Sequence, residues 1–187
     1  MLVIQRPSVE AIGTASNNRQ KFSIGPLDPG LGHTIGNSLR RMLLSSIPGA
    51  AISTVKFESA LHEFDTIEGI TEDVTEIILN LKDVVVMSEG DEPVVITVDV
   101  KGPADVTAAD IVCPTGVTIL NPSQHIATLS AKGRLVVDIT VERGKGYASS
   151  DRDTRKVIGV IPIDAIYSPV RRCTYIVEPT RVEQSTN

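Results

Sequence analysis

The segment from Asp83 onward constrains the fold of this chain most, because it contains strand patterns and turns but no helical pattern. Apolar and polar residues alternate in residues 94–101, and shorter apolar runs separated by Gly, Pro and Asn follow. Aromatic residues make up only 3% of the chain, so Val, Ile and Leu must build the core. The predicted class is a strand-dominated α+β fold. We predict strands at residues 84–87, 94–101, 117–120, 125–129, 134–142, 157–163 and 173–177.

The part before Asp83 contains two segments that predict helices, separated by a long strand. Residues 1–20 are expected to be a loosely held start, residues 21–24 a short strand, and residues 50–64 a half-exposed strand with Leu61 on the same side as Val55 and Phe57. Thr71 is a candidate N-cap of the second helix, and Lys82 lies at its C-terminal end. Its predicted core face consists of Val74, Ile77, Ile78 and Leu81. The nearby carboxylates are interpreted as a solvated face, not a metal site: Glu68, Glu72, Asp73 and Glu76.

The first helix lies within residues 30–49, between a glycine-rich start and Pro48-Gly49. At about 100° per residue, one apolar stripe forms that is typical of a helix packed on a core. The stripe consists of Ile35, Leu39, Met42 and Leu43, and it is expected to be a core and dimer face that packs on the chain's own sheet and on a second copy. The opposite face carries Leu44, Asn37 and Arg41, with Arg40 on the flank. An outward Leu beside an outward Arg favours a protein-binding surface, because Arg is enriched at interface centres.

Charge, cysteine content and hydropathy reduce the number of functional classes to which the chain could belong. The net charge of −5 disfavours DNA binding by this chain, since proteins that grip phosphates usually present a basic surface. Cys113 and Cys173 are far apart and are interpreted as reduced, buried thiols. No apolar run approaches the length of a membrane span, and the N-terminus lacks the layout of a signal peptide. We therefore expect a cytoplasmic protein.

No complete enzyme motif is present. Gly30-x-Gly32-x-x-x-Gly36 comes near a dinucleotide fingerprint, but its third glycine is one place late, so tight-turn and helix-packing roles are the stronger interpretation. His33, His62 and His125 are scattered, and no nucleophile turn supports a catalytic triad. Residues 143–147, with Arg143 and Lys145, are either a basic contact loop or an exposed hairpin turn. Residues 151–156 are polar, but too few residues follow for a separate domain, so the middle of the chain is predicted to be an insertion.

Several blocks of sequence resemble the N-terminal domain of the bacterial RNA polymerase alpha-subunit family. The most specific are L-D-P-G-L-G-H-T-I-G-N-S-L-R-R-M-L-L-S-S-I-P-G-A-A (27–51) and E-D-V-T-E-I-I-L-N-L-K (72–82). L-H-E-F (61–64), V-E-R-G-K-G-Y (141–147), Y-S-P-V (167–170) and R-V-E-Q (181–184) follow in the family's order. The M-L-V-I-Q-R-P start and I-P-G-A-A are similar to actinobacterial members.

The resemblance implies a two-part fold and a non-catalytic role. Residues 1–50 and 168–187 would form a dimerisation subdomain, and residues 51–167 an inserted mixed-sheet subdomain that contacts the large subunits. Two alpha subunits would pair and recruit beta and then beta-prime. The chain would be part of an enzyme only as a subunit of the polymerase, a nucleotidyltransferase, without catalytic residues, cofactor or metal of its own. The family's beta-binding arginine and leucine correspond to Arg41 and Leu44. Glu76 and Lys82 would lie in a large-subunit contact.

The chain differs from the family in stopping at Asn187. Family members continue with the rest of the dimerisation subdomain, a linker and a DNA-binding domain. We therefore expect a fragment or an incomplete gene, with no DNA contact of its own, and leave open whether it dimerises. Two alternatives are a nucleotide-binding enzyme that uses residues 30–36 and a generic dimeric scaffold.

Overall fold

The computed structural model describes residues 6–152, 157–182, 185 and 186. The chain divides into two compact units, Met1–Leu43 with Arg172–Asn187, and Leu44–Arg171. The predicted sequence blocks at residues 1–7, 151–156 and 181–184 lie partly outside the described residues. Fourteen strands and two α-helices occur in the described part, so the strand-dominated α+β class is confirmed. All of its strand pairs are antiparallel, where the resemblance implied a mixed sheet.

The first unit contains a two-stranded hairpin, a helix and an extended return. Strand β1 (Ser8–Ser16) pairs with β2 (Arg19–Gly25) through a turn in which Asn17 and Asn18 both have positive φ. Such a turn matches the right-handed twist of hairpin strands, and asparagine tolerates its conformation. The prediction of a loosely held N-terminus is therefore wrong for residues 8–16. Helix α1 (Leu31–Ser45) follows, and its last two residues belong to the second unit. Strands β13 (Arg181–Val182) and β14 (Ser185–Thr186) form a short hairpin.

The second unit is built on a four-stranded sheet. Strand β3 (Pro48–Phe57) is followed by helix α2 (Val74–Lys82), β4 (Val86–Ser88), β5 (Val94–Lys101) and β6 (Ala104–Thr107). Then come β7 (Val117–Ile119), β8 (His125–Leu129), β9 (Arg134–Lys145), β10 (Tyr147–Ala148), β11 (Val160–Pro162) and β12 (Ala165–Ile166). The sheet order is β11-β3-β9-β5, and the pairs β4-β7, β6-β8 and β10-β12 surround it.

The core lies on one face of this sheet. Alternate residues of β9 are buried, as period two requires, and so are Ile96 and Val98 of β5. A β-bulge near Ser53 in β3 shifts the alternation of buried and exposed residues by one position. Ile52 is buried before the bulge, and Val55 and Phe57 are buried after it. Helix α2 adds Val74, Ile77 and Leu81 to the same core, which confirms three of the four predicted core positions. Ile78 is half-buried.

The start of α2 differs from the prediction. Asp73, not Thr71, is the N-cap, because its carboxylate accepts a hydrogen bond from the Glu76 N–H at 2.7 Å. The Thr71 N–H instead donates to the carbonyl of Thr128 in β8. Two sequence-predicted strands also change: the strand of residues 50–64 ends at Phe57, and residues 173–177 are extended but form no strand.

Glu72 links the start of α2 to β8. Its carboxylate accepts hydrogen bonds from the Thr128 N–H at 2.7 Å and the Thr128 hydroxyl at 3.0 Å, and lies 3.0 Å from Nε2 of His125. The side chain is only 15% exposed, so its assignment to a solvated acidic face is wrong. Burial acts to raise the pKa of Glu72, but the hydrogen bonds from Thr128 and His125 outweigh it and hold that pKa below the usual range.

Acidification is therefore expected to remove a stabilising contribution from Glu72. A carboxylate whose pKa is lowered by folding stabilises the protein above its unfolded pKa, and that contribution is lost as pH falls through the folded value. We expect Glu72→Gln to lower the free energy of unfolding by about 1.5–3 kcal/mol at neutral pH. The deficit should shrink when urea unfolding is repeated at about pH 3. Glu10→Gln, at an exposed position of β1, is the matched control. A deficit that is independent of pH would contradict this assignment.

Candidate protein-interaction site

Helix α1 presents both of its predicted faces to solvent or to shallow contacts. None of its residues is buried. Leu39 and Met42 are 40% and 60% exposed, Leu43 is exposed and Ile35 is half-buried. The prediction that this stripe packs on the core of the same chain is therefore wrong for the described residues. The stripe needs another surface if it is to be buried.

The opposite face of α1 holds the residues predicted to bind a partner. Asn37, Arg40 and Arg41 are exposed, as their helical positions predicted. Leu44 is half-buried, so it is less exposed than most of the stripe it was contrasted with. The face thus combines exposed polar and cationic groups with a partly covered leucine at its edge.

The glycines at the start of α1 do not form an open cofactor cradle. Gly30 has a φ of +86°, which suits the turn that ends at Leu31. Gly32 and Gly36 lie inside the helix, and side chains of Val177 and Tyr175 occupy the space that Cβ atoms would fill. The packing interpretation of these glycines agrees with the structure, and nothing in it favours a nucleotide.

The outward face of α2 is a second candidate surface. Glu76, Leu79 and Lys82 follow one another at helical spacing, and all three are exposed. Nζ of Lys82 lies 3.4 Å from a carboxylate oxygen of Asp164. The backbone N–H of Ser150 donates to the other oxygen at 2.9 Å, and this bond, with Lys82, lowers the pKa of Asp164. The contact joins the C-terminal end of α2 to the segment that precedes β12.

Arg143 and Lys145 lie in strand β9, which corrects the prediction of a basic loop. Arg143 donates from Nη1 to Asp91 at 2.8 Å and to the carbonyl of Glu89 at 3.3 Å, so it braces the turn before β5. Lys145 is exposed and pairs in register with Pro48. The neighbouring Gly144 lies under the ring of Tyr167. Among the described residues, no hydrogen bond or ion pair joins Arg143 or Lys145 to Glu76 or Lys82.

The loop of residues 61–65 is a surface that the sequence analysis missed. Leu61 is 68% exposed and Phe64 80% exposed, although Leu61 was predicted to share one side of a strand with Val55 and Phe57, which are buried. The loop is nevertheless well fixed, because Asp65 accepts hydrogen bonds from the N–H groups of Leu61 and His62, and the Thr75 hydroxyl donates to the Glu63 carbonyl. Those bonds, against a smaller opposing effect of burial, lower the pKa of Asp65. Rigidly held, exposed apolar side chains are typical of binding surfaces.

Metal and membrane sites find no support in the described part of the chain. No three His, Cys, Asp or Glu side chains there are close enough together to hold a metal ion. Neither described helix is long and apolar enough to cross a membrane. Each histidine has a local contact: His33 with Tyr175, His62 with Asp65, and His125 with Glu72.

Comparison with known families identifies the chain's relatives. The sequence model of the family described as "RNA polymerase Rpb3/RpoA insert domain" matches residues 55–168. A DNA-directed RNA polymerase subunit alpha from Saccharopolyspora erythraea is 56% identical over the whole of this chain. The chain belongs to the RNA polymerase Rpb3/RpoA insert domain family. A second relative with the same name, from Beutenbergia cavernae, is also 56% identical over the whole chain.

Both alignments cover the whole of this chain, but they leave a large part of each relative unmatched. The chain spans about half the length of these curated relatives, namely 52% and 56%. Both relatives are named as subunits of DNA-directed RNA polymerase. The matched insert segment lies wholly inside the second compact unit of the chain, Leu44–Arg171, which contains α2, the sheet and the 61–65 loop.

Proposed function

We propose that this chain is a non-catalytic assembly subunit of bacterial DNA-directed RNA polymerase. The observation that carries the proposal is the 56% identity, over the whole chain, to proteins named as the alpha subunit of that enzyme. The chain would act in the cytoplasm, need no cofactor and contribute to nucleotidyl transfer only by assembling the complex. Its acidic charge agrees with an absence of direct nucleic-acid binding.

The beta subunit is proposed to bind the face of α1 that carries Arg41 and Leu44, with Asn37 and Arg40 beside them. An arginine contributes a planar cation and an apolar stem to such a contact, and a neighbouring leucine adds apolar area. The exposure of the three polar residues supports this assignment, as does the position of Asn37 and Arg41 on the side of α1 opposite the apolar stripe, with Arg40 on the flank.

A second copy of the chain is proposed to cover the apolar stripe of α1. Burial of Leu39, Met42 and Leu43 against the same stripe of another copy would remove an exposed apolar patch from water. We expect light scattering to give a mass near twice 20.0 kDa for the purified chain, and near 20.0 kDa for Leu39→Glu. Val95→Glu, at an exposed position of β5, is the matched control and should remain dimeric. A monomeric wild-type chain would contradict the proposed dimer.

The second unit is proposed to add further contacts to beta and beta-prime. Candidates are Glu76 and Lys82 on α2, with Arg143 and Lys145 on β9. The structure adds Leu79 between the first two, and the exposed pair Leu61 and Phe64. On α2, an exposed leucine with a charged side chain one turn before it and another one turn after it is compatible with a protein interface, whose apolar centre has a polar rim.

Capture by immobilised beta subunit tests the proposal. The purified chain should be retained by beta alone and, once beta has bound, the pair should retain beta-prime. Parallel calorimetry with nicotinamide and flavin nucleotides should give no heat of binding. A chain that ignores beta, or one that binds a nucleotide instead, would overturn the proposed function.

A further inference from the structure

Helix α1 contains two glycines one turn apart, although glycine is the poorest helix former after proline. Gly32 and Gly36 are four residues apart and therefore lie on the same face of the helix. A Cβ at Gly36 would come within 2.5 Å of Cδ2 of Tyr175, and one at Gly32 within 2.7 Å of Cγ1 of Val177. The missing side chains thus make a shallow groove that the returning chain fills.

We call residues 173–177 the strap. None of its residues belongs to a helix or a strand, so side chains rather than sheet hydrogen bonds place it. Tyr175 and Val177 are 39% and 44% exposed and point to the helix, whereas Ile176 between them is 82% exposed. The ring of Tyr175 also meets the ring of His33 edge to face, with centroids 6.2 Å apart.

The spacing of the strap matches the spacing of the groove. Two residues of extended chain advance about 6.6 Å, and four residues of helix advance about 6.0 Å. Tyr175 can therefore lie over Gly36 while Val177 lies over Gly32, with the strap running antiparallel to the helix. A larger residue at either glycine would separate the two elements.

Helix α1 adds no side chain to the buried core of the described residues. It has no buried residue, no acidic residue in its first turn and no basic residue in its last. A helix of fifteen residues without tertiary support is marginal in water. We infer that Tyr175 and Val177 are positioning residues that dock the strap in the Gly32–Gly36 groove and keep α1 helical. If the strap leaves and α1 unfolds, the face that carries Arg41 should no longer bind beta. This consequence alone rests on the proposed function.

The test compares the effect of Gly36→Ala on helix content with and without the Tyr175 side chain, because the two effects should have opposite signs. Gly36→Ala should raise helix content by propensity alone, but the groove predicts that it expels the strap. In the 187-residue chain we expect Gly36→Ala to lower the circular dichroism at 222 nm and to speed thiol labelling of Cys173 about tenfold. Labelling of Cys113 in the second unit should not change. In a Tyr175→Ala background, the same Gly36→Ala change should raise the helical signal instead.

Matched variants distinguish the strap from a general loss of stability. Tyr175→Phe should retain wild-type labelling of Cys173, and so should Ile176→Ala, which removes an exposed side chain from the same strap. If Gly36→Ala raises the helical signal and leaves the labelling rate unchanged, the inference is overturned. An effect of Ile176→Ala as large as that of Tyr175→Ala would also overturn it.

Beta capture then separates the inference from the proposed function. If labelling and circular dichroism behave as expected and strap variants lose beta, both stand. If labelling and circular dichroism behave as expected but the wild-type chain does not bind beta, the strap stands and the proposed function fails.

Discussion

Gly49→Ala is expected to lower the free energy of unfolding of the chain by at least about 3 kcal/mol, at the top of the range for overpacked sites. A Cβ at Gly49 in β3 would overlap the carbonyl oxygen of Tyr167. That backbone cannot retreat easily, because the Tyr167 N–H donates to the carbonyl of Gly146 at 2.9 Å. Its buried ring also lies on Gly144, which is paired with Gly49 across β3 and β9.

Urea unfolding followed by circular dichroism measures this effect. Gly90→Ala is the matched control, because no atom lies within 4 Å of a Cβ placed there and Gly90 is exposed. The control should stay within about 0.5 kcal/mol of wild type. Equal stability of Gly49→Ala and Gly90→Ala would show that Tyr167 does not close over this glycine pair.

Arg41→Ala is expected to weaken binding of beta at least about 30-fold, which corresponds to about 2 kcal/mol. Arg41 is exposed and lies opposite the apolar stripe of α1, and the circular dichroism of Arg41→Ala at 222 nm should be compared with wild type so that a loss of helix is separated from a loss of contact. The loss would arise because the partner surface keeps a desolvated site without its cation and apolar stem. Surface plasmon resonance with immobilised beta gives the affinity directly.

Arg19→Ala controls for loss of charge alone. Arg19 is an exposed arginine in β2, at the hairpin turn, and its removal changes net charge by the same amount. We expect its affinity for beta to remain within about threefold of wild type, since distant exposed charges are screened. If both variants lose affinity equally, the effect comes from net charge and not from a docking contact of Arg41.

Periodicity predicted those elements whose residues enter one core. Strands β5 and β8 have the predicted bounds, and the core face of α2 is correct at Val74, Ile77 and Leu81. These segments alternate or repeat because one side of each is buried, and burial is the property that the pattern encodes.

Other elements depend on partners that local sequence does not reveal. Hairpin β1–β2 is exposed along almost its whole length, so it lacks the alternation of a half-buried strand. The V-E-R-G-K-G-Y block looks like a loop by composition, but β9 continues through Lys145 because β3 pairs with it. The strap has a strand-like composition yet binds a helix through side chains.

In the candidate site too, some features follow from local periodicity and others depend on contacts that local sequence does not reveal. Helical geometry placed Arg41, Arg40 and Asn37 on a face away from the stripe, and they are exposed. It also predicted that the stripe is buried in the chain itself, which is wrong, since a helical wheel cannot say which surface covers an apolar face. The exposed pair Leu61 and Phe64 was not predicted because the strand before it ends at Phe57. One of the hydrogen bonds that fix the loop, from the Thr75 hydroxyl to the Glu63 carbonyl, also joins two elements that a local pattern does not connect. The roles of these residues toward beta remain predictions.

Hydrogen–deuterium exchange of the wild-type chain, with and without purified beta, tests most directly whether α1 is the docking element. A helix without buried residues should exchange quickly when free. With beta bound, we expect the amides of residues 37–45 to exchange at least about tenfold more slowly, while those of β5 keep their rates. Binding of beta with unchanged exchange in residues 37–45 would contradict the account.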